Sequence, residues 1–245
     1  MKLTSLVLST CLALTSISAV ADIKFDHGQR TKQDLKRDMT AKPSEIMAFS
    51  GVKKGMTVLD IFGGGGYYSE LLSQVVGSDG KVYLHNNKAY LSFVGKELDA
   101  RVKGDRLKNV VDHKAEAEDL DIPDASLDAI FYVLGYNDLY HKSKSWQVEP
   151  QPFLDQLYKA LKPGGLLLVA DHSAPEGTNT AHSQKLHRID ELYVKKELTS
   201  KGFSFVKDSQ VLRNPEDSRL ISPFRPEIRR NTDRFVMLFA KPAER

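Results

Sequence analysis

Two groups of residues in this chain have the types and spacing that chemistry needs. The first is the glycine run in VLDIFGGGGYYSELL, residues 58–72. Gly63, Gly64, Gly65 and Gly66 fall where an apolar segment ending in Asp60 must turn into an amphipathic one. Glycine there admits positive φ and lets a ligand reach the backbone with no Cβ in the way. A ligand site accounts for four consecutive glycines better than a tight turn does, since a turn needs one or two.

The second group stands at the ends of later apolar segments. Tyr136-Asn137-Asp138-Leu139-Tyr140-His141 follows one of them. Asp138 and His141 are three apart, can share a helical face and are candidates for a proton-accepting base. Tyr136 and Asn137 are candidate substrate contacts. The competing reading is that Asn137 and Asp138 cap a helix while His141 is solvated. Asp171-His172 ends another segment, so His172 is a further candidate base, with Asp171 orienting it or capping the next turn. His187 and Arg188 are candidate substrate contacts in a cluster with His182 and Asp190. No metal is expected there, because His182 and His187 are five apart, a poor spacing for one helical face. Tyr67, Tyr68 and Trp146 either cover a ligand or pack.

These residues need a frame. Apolar runs at 56–62, 81–85, 109–113, 127–134 and 166–171 read as buried strands. Amphipathic runs at 67–76, 88–103 and 150–161 read as helices, the last stopped by Lys162-Pro163-Gly164-Gly165. Strands alternating with helices imply a parallel sheet covered on both faces. After a helix near 190–202, strands at 204–212 and 234–240 have no helix between them and form an antiparallel pair at the sheet edge. Residues 22–42 and the stretch after Pro43 read as a short helical cap on a single domain spanning 22–245.

The choice of ligand narrows from the spacing. A dinucleotide site wants G-x-G-x-x-G and an acid about 20 residues on. Here the third position falls on Ser69, and the second strand ends in Leu84-His85-Asn86-Asn87 without a carboxylate. The order VLDIFGGGG, AEAEDLDIPDASLDAIFYVL and LKPGGLLLVADH instead resembles the class I S-adenosylmethionine-dependent methyltransferases over about residues 50–175. KPSEIMAFSGVKKGMTVLDIFGGGGYYSELL, LHRIDELYVKKELTSKGF and TDRFVMLFAKP resemble, more narrowly, a group of exported methyltransferases without a settled substrate.

The resemblance implies a Rossmann-like, doubly wound α/β fold, its mostly parallel seven-stranded sheet carrying an antiparallel edge strand. It also implies S-adenosylmethionine as cofactor and a small-molecule acceptor. Asp60 and Gly63 to Gly66 would then face the amino acid portion of the cofactor, Asn86 and Asn87 the ribose, and Glu116 the adenine. Family members usually end the second strand in an acid; the amides here lack the charge that roughly doubles such a bond.

Composition sets the remaining limits. Residues 1–21 carry one charge, Lys2, then an apolar middle, then Ala19-Val20-Ala21, the order of a secretory signal cut after Ala21. Cleavage would leave a cysteine-free chain of net charge +2 instead of +3 in the periplasm, since Cys11 and Lys2 both lie in the removed segment. Neither nucleic acid nor stable membrane insertion is expected of such a chain. Arg225, Arg229 and Arg230 form a basic cluster interrupted by acids, which reads as a solvated face. Two functional readings stand: methyl transfer to a small acceptor, or a non-catalytic ligand-binding protein on the same fold with weakened cofactor binding.

Overall fold

The computed structural model describes residues 23–104 and 106–243, so the expected signal segment lies outside the described residues. Helices α1 (Lys32–Ala41) and α2 (Pro43–Ser50) precede an alternation of strand and helix: β1 (Thr57–Asp60), α3 (Tyr67–Val76), β2 (Lys81–Asn86), α4 (Lys88–Val102), β3 (Val110–Lys114), β4 (Leu127–Val133), α5 (Pro150–Ala160) and β5 (Leu161–His172). The chain closes with α6 (Ser183–Leu186), α7 (Glu191–Ser200), β6 (Ser204–Ser209) and β7 (Arg234–Ala240). A 3-10 turn, Asn137–Tyr140, follows β4.

The strands form one sheet in the order β3-β2-β1-β4-β5-β7-β6. β1 to β5 pair in parallel, and β7 runs antiparallel to both of its neighbours. The antiparallel strand therefore lies one place in from the edge, and β6 forms the edge itself. β5 begins earlier than its apolar run indicates: Leu161 already pairs with Leu127, and Lys162-Pro163-Gly164-Gly165 loops out before the ladder resumes at Leu166.

Period-two alternation in β4 builds the two cores. Ile130 and Tyr132 face one way, with Phe153, Leu154 and Leu157 of α5 and Val194 and Leu198 of α7. Ala129 and Phe131 face the other way, with Leu71 and Leu72 of α3 and Ile46 and Met47 of α2. Helices thus cover both faces, as a parallel sheet requires.

One buried cation joins the helical cap to the sheet. Arg101, near the end of α4, is 4% exposed. Its guanidinium takes Asp34 of α1 in a two-pronged pair at 3.1 and 3.0 Å and also bonds Glu70 of α3. Its Nε donates to the carbonyl of Gly65. Asp34 serves twice, because it also completes the capping box with Thr31 that starts α1. Burying this charge is tolerable only because every prong of the guanidinium is met. Arg101→Met is expected to cost about 3–5 kcal/mol, because Asp34 stays buried with its charge uncompensated; urea unfolding followed by circular dichroism measures it.

Candidate functional site

The sheet order reverses between β1 and β4, and in open α/β sheets ligands bind at such a switch point, over the carboxyl ends of the strands. The glycine turn and the segment after β4 both lie there.

The turn is held almost entirely by the chain itself. The Gly63 amide donates to the carbonyl of His85 at 2.9 Å. Asn86 makes a reciprocal pair with Gly64, accepting from its N–H and donating to its C=O, both at 2.9 Å. A Cβ on Gly66 would lie 2.5 Å from Leu84 Cδ1 and 2.9 Å from Arg101 Cδ, and one on Gly63 would lie 2.7 Å from Asp60 Oδ2. Gly65 packs against Glu97. Gly64 differs: it has φ +61° and its Cβ would meet nothing nearer than Val94 at 3.8 Å. Gly63 and Gly66 therefore have internal packing reasons, Gly65 meets only the half-exposed Glu97 side chain, and Gly64 presents a face with room beyond it.

The groups expected around the cofactor are engaged locally. Asn86 is fully buried and spent on Gly64. Asn87 caps α4 by accepting from the Tyr90 N–H at 3.0 Å. Glu116 accepts from the Lys88 N–H at 3.1 Å, although its side chain is otherwise exposed. Asp60 is buried and accepts from Ser69 Oγ at 2.6 Å. S-adenosylmethionine fits this frame at Gly64 and the switch point; at the ribose and adenine it must exchange with bonds the chain now makes to itself.

Beside the turn, Phe62 takes φ +50°, an uncommon conformation for a bulky residue and a place where strain collects at sites. Its ring stacks on Phe153 and Tyr90 and meets the edge of Trp146. Its amide donates to Nδ1 of His85 at 3.4 Å, and His85 Nε2 bonds the Ala115 carbonyl at 3.0 Å. Burial lowers the pKa of His85 to about 4, so the ring is neutral with its proton on Nε2.

The proton-handling candidates sort differently from their spacing. Asp138 does not pair with His141. Its Oδ1 accepts from Nδ1 of His187 at 3.1 Å, and its Oδ2 accepts from the Tyr90 hydroxyl at 2.9 Å. The 3-10 turn ends before His141, and α6 brings His187 over the same crevice. His187 sits at φ +49°, with its ring stacked on His141 at 4.9 Å and meeting the Phe224 edge at 4.9 Å. His141 itself donates to the Gln184 carbonyl. With Nδ1 committed to Asp138, Nε2 of His187 carries the lone pair, the tautomer a general base needs.

Three expected substrate contacts turn inward instead. Tyr136 is fully buried and donates to Glu197 at 2.6 Å. Arg188 is fully buried, where it pairs with Asp217 at 2.9 Å and donates to the Ser173 and Ile221 carbonyls. The backbone N–H and side-chain amide of Asn137 both go to Asp171. Asp171 also accepts from the His172 N–H, and burial raises its pKa to about 7. His172 bonds Thr232 at 2.7 Å; burial and then the Arg234 guanidinium hold it well below the usual histidine range, so it stays neutral. Trp146 packs and donates to the Asp138 carbonyl. Tyr67 donates to Asp38, and Arg37 lies over its ring at 4.0 Å. The hollow of about 510 Å³ beside α7, which Asp190 and Glu197 help line, is separate from this crevice.

The sequence pattern of the methyltransferase domain family matches residues 52–212. The ubiquinone/menaquinone biosynthesis C-methyltransferase UbiE of Marinomonas sp. (strain MWYL1) is 30% identical over 213 residues, covering 84% of this chain and 78% of that protein. UbiE of Pseudoalteromonas translucida (strain TAC 125) is 34% identical over 166 residues, 65% of this chain and 61% of that protein. Among solved structures, a SAM-dependent methyltransferase from Aquifex aeolicus superposes with a TM-score of 0.62 at 24% identity, covering 89% of this chain and all of that one. The cyclase SpnF superposes with a TM-score of 0.60 at 15% identity, covering 89% of this chain and 85% of that one. Both structural likenesses speak of the fold alone.

Asp60 yields a pH test. Burial raises its pKa to about 6, opposed by the Ser69 hydroxyl. The folded state therefore holds a proton that the unfolded chain releases near pH 4, and stability falls as pH rises between those values. Asp60→Asn keeps an acceptor for Ser69 and removes the titration. It is expected to gain on the parent protein by on the order of 2 kcal/mol from pH 4 to 6 and no further above that, read from paired melting curves.

Proposed function

The chain belongs to the methyltransferase domain family, whose cofactor is S-adenosylmethionine, and we propose that it transfers the cofactor's methyl group to a carbon of a small phenolic or quinol acceptor. The observation that carries the reading is the Asp138–His187 pair at the mouth of the crevice. The relatives at 30% and 34% identity are C-methyltransferases of ubiquinone and menaquinone biosynthesis, which is why the acceptor is given that chemistry.

The cofactor would lie against the Gly64 backbone, with Asn86 and Glu116 exchanging their present bonds, and would supply an electrophilic methyl. This chain's own part is on the acceptor side. A phenol becomes a stronger carbon nucleophile when it loses its hydroxyl proton. Nε2 of His187 takes that proton, and Asp138 holds the ring in the correct tautomer and stabilises the imidazolium that forms; the methylated ring carbon then sheds its own hydrogen to solvent as a proton, and the imidazolium returns the first proton to the oxygen. Tyr90, donating to the other Asp138 oxygen, fixes the carboxylate rotamer. Beneath them the Tyr132 hydroxyl and Asn137 Oδ1 are buried without hydrogen-bond partners among the described residues. Each costs about 1–3 kcal/mol, which a polar group entering the crevice would offset. The signal-like order of residues 1–21 supports a periplasmic location for this activity as part of the same proposal.

A second reading, ligand binding without catalysis, is favoured by one observation: Asn86 and Asn87 are both already bonded within the chain. Titration calorimetry of the chain from Asp22 with S-adenosylmethionine and S-adenosylhomocysteine tests the cofactor. Micromolar binding, about −8 kcal/mol, is expected. Gly64→Ala should weaken it at least tenfold while costing about 1–2 kcal/mol of stability, because the new methyl has room in the fold and meets only the ligand. His187→Gln should leave cofactor affinity unchanged and lower the rate of methyl transfer to a quinol by about 10²–10⁴. Tight binding with no transfer to any phenol or quinol would overturn the proposed acceptor and base, and weak or absent binding would favour the second reading.

A further inference from the structure

The connection between β6 and β7, residues 210–233, carries five arginines and four acids. The fold separates them. Asp217 is buried on Arg188. Asp233 is buried on Arg213 and Arg219, and Glu227 pairs with Arg225. Glu216 is exposed on the far side of Asp217 in sequence. With Glu227 taken by Arg225, both Arg229 and Arg230 are left with no ion-pair partner among the described residues. These two arginines meet Gln33 and Lys36 of α1 around a surface hollow of about 590 Å³ lined by no acid.

Apolar side chains stand exposed on the same two segments. Met39 of α1 is 73% exposed and Phe224 is 63% exposed, with Leu35 and Leu220 also outward. Both segments lie at the end of the sheet where the crevice opens. Phe224 touches His187, Arg234 at the start of β7 donates to the Thr40 carbonyl in α1, and Arg37 lies over Tyr67, the first residue of α3 after the glycine turn.

We propose that this rim docks the crevice mouth against the surface of an anionic phospholipid bilayer. A free anion would account for the cations and leave the outward Met39, Leu220 and Phe224 unexplained, whereas a bilayer surface takes both: headgroups on the cations and the interfacial layer on the apolar residues. No helix among the described residues is long and apolar enough to cross a membrane, so the contact is peripheral. It gives an acceptor dissolved in the bilayer a direct route to the site.

The test uses the chain from Asp22, which retains all seven strands and both cores, in sedimentation with vesicles of phosphatidylcholine alone or with 30 mol% phosphatidylglycerol. Binding to the anionic vesicles that falls with salt is expected. Arg229→Ala with Arg230→Ala should weaken it about 25-fold, at about fivefold per cation, and Met39→Ser with Leu220→Ser should weaken it further at unchanged surface charge. Met39, Leu220 and Arg229 are exposed and Arg230 is half-buried without an ion pair among the described residues, so melting temperatures should hold and separate lost docking from lost folding. Equal partition to neutral and anionic vesicles, no partition to either, or anionic binding that the double arginine variant leaves unchanged would each overturn the proposal. Competition by millimolar inorganic phosphate that abolishes vesicle binding, with Met39→Ser and Leu220→Ser inert, would assign the hollow to a soluble anion instead. None of these readouts requires methyl transfer, so the proposed reaction can fail without affecting them.

Discussion

The clamp made by Arg101 is the constraint on which the site depends. A single guanidinium bonds α1, α3 and the carbonyl of Gly65, so the helical cap, the first crossover helix and the glycine turn cannot move independently. Such a charge is stable out of water only with its carboxylates in place, which makes the position of α1 part of the definition of the turn. The same helix carries Arg37 over Tyr67 and Lys36 toward the rim. Docking of the cap and shaping of the ligand turn are one energetic event.

Much of this architecture is legible in the sequence because it rests on periodicity. The helix at 67–76 and the strand at 234–240 appear with the expected limits, and the parallel sheet follows from strands alternating with helices. Pairings between distant side chains have no periodic signature. Asn86 reads as a ribose contact from its place at a strand end, and only the fold shows that its amide completes the Gly64 backbone. Tyr136 and Arg188 have the chemistry of substrate contacts but reach inward to Glu197 and Asp217, partners 61 and 29 residues away. The Asp138–His187 pair spans 49 residues. Asp138 with His141 looks better in sequence because helical spacing was the only geometry available, and the 3-10 turn does not extend that far. The one available signal for His187 was its place in a dense run of His, Arg and Asp.

The glycine run illustrates how a motif can be right in place and different in cause. Close packing against Leu84 and Asp60 excludes side chains at Gly66 and Gly63, so a glycine-only rule would hold at those two positions in a protein that bound nothing. What marks the place as a site is the switch point itself, where Gly64 leaves room beyond the turn. Phe62 and His187 both hold left-handed backbone conformations that cost of order 1–3 kcal/mol each and persist where surrounding structure over-determines them. One stands at the turn and the other at the proton-accepting pair, on opposite sides of the same crevice.

The antiparallel strand explains why the rim and the site share one end of the molecule. Had β7 been parallel, the chain leaving β6 would have had to cross back to the opposite end of the sheet before re-entering it. Because β7 runs antiparallel to β6, residues 210–233 remain over the carboxyl ends of β4 and β5, beside His172 and His187. Two of their acids then become anchors: Asp217 fastens the loop to the buried Arg188, and Asp233 accepts from the Asn214 N–H and pairs with the partly exposed Arg213 and Arg219. Anchoring the acids turns the unpaired arginines outward. The topology that places a basic, apolar-studded loop at the crevice mouth therefore also draws two of its four acids, Asp217 and Asp233, inward.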